Sequence, residues 1–287
     1  MFREYTYGIK GVKFSADGNT IVSISCNDIC SIWDVRSEKA LQYLEGHCDT
    51  INDAQFSSDG QVIVSCSDDK TIRLWDVKTG NQQKVLQGHS YGVTSAQFAP
   101  NGHLIVSGSR DKTIRIWDIV SGKDIKTMTG HFQCVTQVTY SPDGQTIASS
   151  SDDGTVGIWD VHSFQRICEL KLYSQSVRTV QFSPDGLFII SCTSDNKIRI
   201  CDLKSQKVVL KLEGHSRYLN GARIFPCDQI IASCSSDNTV RLWDTKSGQE
   251  IETLDGHSGC VTGIDISPDG AIIASCSDDQ TIRLWKW

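Results

Sequence analysis

The sequence predicts an all-β chain built from seven copies of one 42-residue unit. Three observations carry that expectation. First, a Trp-Asp pair at Trp33–Asp34 recurs at Trp75–Asp76, Trp117–Asp118 and Trp159–Asp160, then as Cys201–Asp202, Trp243–Asp244 and Trp285–Lys286, each 42 residues after the last. A fixed period of this size marks a repeat architecture. Second, short runs rich in β-branched residues alternate with turn residues in every unit. Third, proline is scarce, with five in 287 residues, as strands that must keep their ladder donors require.

The units run 1–45, 46–87, 88–129, 130–171, 172–213, 214–255 and 256–287, and are expected to form one domain. The second unit serves for all. Ile51–Phe56 reads as the first strand, and Ser58-Asp59-Gly60 as its turn, where glycine supplies a positive φ. Gln61–Ser67 is the second strand, closed by Asp68-Asp69-Lys70. Thr71–Trp75 is the third, closed by Lys78-Thr79-Gly80-Asn81. A weaker, more polar run at about Gln83–Gln87 is the fourth.

Alternation along these strands leaves apolar residues on both faces of each sheet. Val62, Val64 and Cys66 share one face, Ile63 the other. Such a sheet needs a neighbour on each side. Repetition around an axis supplies both, so a seven-bladed β-propeller is the predicted architecture.

Glycine-His near the start of five units and Trp-Asp near the end of five make the whole chain resemble the WD40 repeat family. The resemblance implies a hydrogen-bonded His, Ser, Asp and Trp set in each blade. Five sets are complete: His47, Ser65, Asp69 and Trp75; His89, Ser107, Asp111 and Trp117; His131, Ser149, Asp153 and Trp159; His215, Ser233, Asp237 and Trp243; His257, Ser275, Asp279 and Trp285. Two are broken: Tyr5, Ser23, Asn27 and Trp33 in the first unit, and Tyr173, Ser191, Asp195 and Cys201 in the fifth. Weaker tethering is expected there, because a buried polar group without its partner costs about 1–3 kcal/mol.

Composition narrows the function. Hydrophobic residues are 39% and charged residues 22%, an ordinary globular balance. A net charge of −6 speaks against nucleic acid or an anionic membrane as the main partner. No apolar run approaches the roughly 18 residues of a membrane helix. The opening MFREYTYGIK has no apolar core, so no secretory leader is expected, and the protein is placed in the cytoplasm or nucleus with reduced thiols. Among the twelve cysteines, Cys66, Cys192, Cys234 and Cys276 share one repeat position, where Cys acts as a small hydrophobe. No C-x-x-C pair, phosphate loop, dinucleotide fingerprint or EF-hand occurs, so no metal or cofactor is expected.

A Ser/His/Asp set suggests a hydrolase, but five copies would be five equivalent active sites, and no Gly-x-Ser-x-Gly elbow is present. The expectation is a non-enzymatic scaffold that binds peptides or protein domains, inside a larger assembly. The alternative is the recognition domain of a larger regulator, such as a ubiquitin-ligase receptor or a nucleotide-switch protein.

The resemblance places ligands on the face where the inner strands begin. The fifth residue after each His position reads Lys10, Asn52, Thr94, Thr136, Arg178, Asn220 and Thr262. These are mostly Thr and Asn, which weakens the idea of an aromatic cage for arginine. Asp68, Asp152 and Asp278, each just before a set Asp, are candidates for a partner's Lys or Arg. Lys10, Arg110 and Arg178 are candidates for carboxylate or phosphate. Tyr91 and Tyr218 are the aromatic anchors.

The length is seven short of seven whole units. The outer segment Lys246–Asp255 of the sixth unit has no counterpart after Trp285, where only Lys286 and Trp287 follow. The last blade is therefore predicted with three strands, Val261–Ile266, Ala271–Ser277 and Thr281–Trp285, plus at most a stub of Phe2 and Arg3. Its edge is expected to be the weakest seam, and the chain to be a segment of a longer array.

Overall fold

The computed structural model describes residues 7–171 and 176–287. Among them lie 27 strands and no helix. They form six four-stranded sheets and one three-stranded sheet, each an antiparallel meander in chain order. In blade two the strands are Ile51–Phe56, Val62–Ser67, Thr71–Asp76 and Gln82–Gln87, within one residue of the sequence expectation. Each inner strand packs against the inner strands on either side of it, and that of blade one, Ile9–Phe14, packs against that of blade seven, Val261–Ile266. The seven blades thus close into a ring.

The core lies between blades, not within them. Val22, Ile24, Ile32 and Leu44 of blade one pack with Ile51, Ala54, Ile63 and Trp75 of blade two. The same pattern recurs where Val64, Ile72 and Leu86 meet Val93, Ile105 and Trp117. Second strands are therefore buried on both faces, and Cys66, Cys192, Cys234 and Cys276 sit there fully buried. Burial pushes the Cys276 thiol up to about 12 and Cys192 up to about 11, so both behave as apolar filler. All twelve cysteines are free.

One local feature positions the channel. In every inner strand the pairing skips a residue, as between Ile9 and Gly11, Ile51 and Asp53, or Val177 and Thr179. The skipped residues are Lys10, Asn52 and Arg178, with Thr94, Thr136, Asn220 and Thr262 in the other blades. A β-bulge re-aims the extra side chain, and here all seven line the upper chamber of the axial channel, whose volume is about 170 Å³.

Blade seven has three strands among the described residues, Val261–Ile266, Ile272–Ser277 and Ile282–Lys286. Phe2 and Arg3, the expected stub, lie outside the described residues. The seam to blade one is held by apolar packing of Ile9, Val12, Phe14 and Trp33 against Ala274, Cys276 and Ile282. It is also held from the channel side. Asp265 accepts the Phe14 N–H at 2.9 Å, stands 3.5 Å from Lys13 Nζ, and accepts Arg223 Nε–H at 3.1 Å.

Blade six carries a local misfit. Its first hairpin puts Asp228 at φ 60°, where Gly60, Gly144 and Gly186 stand in their blades with φ of 69°, 70° and 72°. Asp228 Oδ1 is buried without a partner, and burial raises its carboxyl pKa. Asp228→Gly is expected to stabilise the protein by about 1 kcal/mol, read as a higher melting temperature, since the left-handed backbone and the buried oxygen both favour glycine.

Candidate functional site

The five complete His–Ser–Asp–Trp sets are assembled as the resemblance implied. In blade two, Trp75 Nε1–H donates to Ser65 Oγ at 2.8 Å, Ser65 Oγ lies 2.8 Å from His47 Nε2, and His47 Nδ1 lies 2.8 Å from Asp69 Oδ2. Around a neutral imidazole the chain runs one way: Asp69 accepts from Nδ1–H, so Nε2 accepts from the serine hydroxyl. The sets at His89, His131, His215 and His257 repeat these distances within 0.1 Å. The preceding glycine belongs to the same device. A Cβ on Gly88 would lie 3.0 Å from Trp117 and 2.8 Å from the Arg115 guanidinium, which explains Gly-His as a unit.

A fifth member was not read from the sequence. Thr71 donates its hydroxyl to Asp69 Oδ1 at 2.6 Å, and Thr113, Thr155, Thr239 and Thr281 do the same in their blades at 2.6–2.7 Å. Burial pushes the Asp69 carboxyl up, but the bonds from Thr71 and His47 outweigh it and hold the group down at about 2. Asp237 is likewise held at about 2, by Thr239 and His215. Burial lowers His47, His131, His215 and His257, with the neighbouring carboxylate opposing.

These shifts fix a pH dependence. A histidine depressed in the fold binds its proton more readily when unfolded, so its contribution is present above the unfolded value of about 6.5 and fades as pH falls below it. The depressed aspartates add a second loss as pH falls from about 4 towards 2. Melting temperature is expected to drop between pH 7.5 and 5.5 and again below pH 4; a flat profile from 7.5 to 5.5 would contradict neutral histidines in the sets.

As chemistry, the sets are closed. Ser65 is 0% exposed, and the Trp75 indole N–H already occupies its oxygen. No substrate carbonyl reaches a hydroxyl so placed. The geometry ties the second and third strands of these five blades to the loop before the first.

The two broken sets differ from each other. In blade one Trp33 still donates to Ser23 at 2.9 Å, and Tyr5 lies outside the described residues. In blade five, where weaker tethering was expected, Tyr173 also lies outside them. There the buried Arg199 grips Asp195 with two bonds, at 2.8 and 2.5 Å, and holds its carboxyl at about 2. Arg199 stands at the third-strand position of Arg73, which lies 3.6 Å from Asp69 in blade two.

The rim residues fall into two groups. Asp68 and Arg110 were each expected to meet a partner; they meet each other at 3.1 Å, and Asn52 adds a bond to Asp68 at 2.8 Å. Asp152 accepts the Ser176 hydroxyl at 2.6 Å, and Asp278 lies against Gly8. By contrast Tyr91 and Tyr218 are 63% and 56% exposed, with Lys70 5.9 Å above the first ring and Arg178 5.1 Å above the second. Phe132 is 77% exposed and was missed, although an aromatic directly after the His131 position was there to be noticed.

A ring of seven antiparallel blades, five of them tied by a complete buried His–Ser–Asp–Trp set, defines a repeat propeller. The chain matches the WD domain, G-beta repeat family at residues 1–34, 38–76, 80–118, 122–160, 164–202, 206–244 and 248–286, and belongs to that family. Comparison with curated proteins gives no match.

Proposed function

We propose that this propeller is a non-catalytic docking platform that takes a peptide or protein domain on the face where the inner strands begin. The observation that carries the reading is the exposure of Tyr91, Phe132 and Tyr218 on the loops that enter three inner strands. Rigid aromatic side chains on a fixed rim lose little entropy on binding and are the usual anchors of an interface. The hairpin connections are short, so the ring faces offer the broadest surface for a partner. A reducing cytoplasmic or nuclear setting fits twelve unpaired thiols.

Affinity capture followed by mass spectrometry tests this. The wild type and a Tyr91→Ala/Phe132→Ala/Tyr218→Ala variant are compared at equal melting temperature. The variant is expected to lose the main partners; a partner set unchanged by the three substitutions would place binding elsewhere.

A further inference from the structure

The seven bulged residues do two different things. In five blades the side chain donates to a backbone carbonyl of the next blade. Asn52 Nδ2 reaches Val93 O at 2.8 Å, Thr94 Oγ1 reaches Val135 O at 2.6 Å, and Thr136 Oγ1 reaches Val177 O at 2.6 Å. Asn220 Nδ2 reaches Val261 O at 2.8 Å, and Thr262 Oγ1 bonds Ile9 O across the seam. These short polar residues belt the ring together. Blades one and five depart from the rule with Lys10 and Arg178, both lining the same chamber.

A cation at this position gives up the inter-blade bond. Among the described residues neither Lys10 nor Arg178 has a carboxylate within ion-pair distance, and the Arg178 guanidinium instead lies 5.1 Å from the Tyr218 ring centre. Below them the channel holds Lys13 and Arg223 against Asp53 and Asp265. Four cations thus face two carboxylates inside a chain whose net charge is −6. The rim carboxylates lie outside the chamber lining: Asp68 is paired with Arg110, while Asp152, which accepts the Ser176 hydroxyl, and Asp278 keep their negative charge on the rim. A positive chamber lining inside an acidic body attracts negative segments to the chamber.

We propose that Lys10 and Arg178 are a two-point clamp for the carboxylates of an acidic peptide laid across the channel mouth. This rests on the docking-platform reading and names the chemistry of its partner. Blades one and five are separated by two blades one way round the ring and three the other, so the two cations stand on opposite sides of the opening. They meet two separate acidic side chains rather than converging on one anion. The Tyr218 face beneath the guanidinium holds Arg178 extended, as a cation over an aromatic ring.

A random 12-residue peptide display library, selected on the full chain, tests the clamp. Recovered sequences are expected to be enriched in Asp and Glu. Lys10→Gln/Arg178→Gln, at unchanged melting temperature, is expected to weaken a recovered synthetic peptide about 100-fold, about tenfold for each charge-assisted contact. Lys10→Arg/Arg178→Lys keeps the charges and is expected to stay within about threefold. Recovered peptides without acid enrichment, or affinity retained by the double Gln variant, overturn the clamp while leaving the platform standing. Replacing Glu by phosphoserine in the recovered peptide and gaining more than about tenfold overturns the carboxylate assignment. Acidic peptides that bind the Tyr91→Ala/Phe132→Ala variant as tightly as the wild type overturn the aromatic platform and leave the clamp; a library that yields no binder overturns both.

Discussion

His215→Ala is expected to destabilise the propeller by about 2–4 kcal/mol, because an unpaired buried polar group costs about 1–3 kcal/mol and the lost imidazole adds a gap and a weakened Asp237. His215 is buried and bonds Asp237 at 2.8 Å and Ser233 at 2.8 Å. Its loss leaves the Ser233 hydroxyl without its acceptor. It also removes one of the bonds that hold Asp237 at about 2, and opens a gap beside Trp243, whose ring centre lies 6.0 Å away. The polar set acts as a unit, so the second and third strands and the loop before the first loosen together. For a chain of this size the shift in melting temperature is roughly 3–7 °C. Thermal unfolding followed by circular dichroism reads it, and an unchanged midpoint would show that the sets are not what ties the blade.

The second large effect is expected at the seam. Asp265→Ala removes the one carboxylate that faces Lys13, Arg223 and the Phe14 N–H together. Two cations are then left with Asp53 as the one carboxylate beside them in a narrow polar chamber of about 240 Å³. Breaking such a partly buried pair by deleting one sign costs about 3 kcal/mol. Burial and the Arg223 charge already lower the Lys13 pKa, which marks how closely the two cations are held. Adding Lys13→Met should recover part of the loss. A double-mutant cycle with no coupling would mean that Asp265 does not join blades one and seven through this network.

Much of the fold was legible because the period is unbroken. With every interval equal to 42, a residue type at one place in one unit predicts its neighbours in all, and the strands of blade two fell within a residue of expectation. The complete sets were legible for the same reason. What was not legible depends on pairing between strands. The bulge that turns Lys10 and Arg178 into the channel is a register shift, invisible in alternation alone. The Arg199 grip on Asp195 is a contact within one blade, between the third strand and the turn before it, that the set pattern does not announce. The Asp265–Phe14 bond joins residues 251 apart, which only ring closure brings together. Asp68 and Arg110 looked like free rim charges one unit apart, and neighbouring blades place them in contact.

The central claim is that partners dock on the face where the inner strands begin. Hydrogen exchange on the complex with the tightest captured partner tests it most directly. Slowed exchange is predicted in the loops 89–92, 131–134 and 216–218, around Tyr91, Phe132 and Tyr218. Protection confined to outer strands such as Asp124–Met128, or to the Asp59-Gly60 and Asp143-Gly144 turns at the other end of the inner strands, would contradict it.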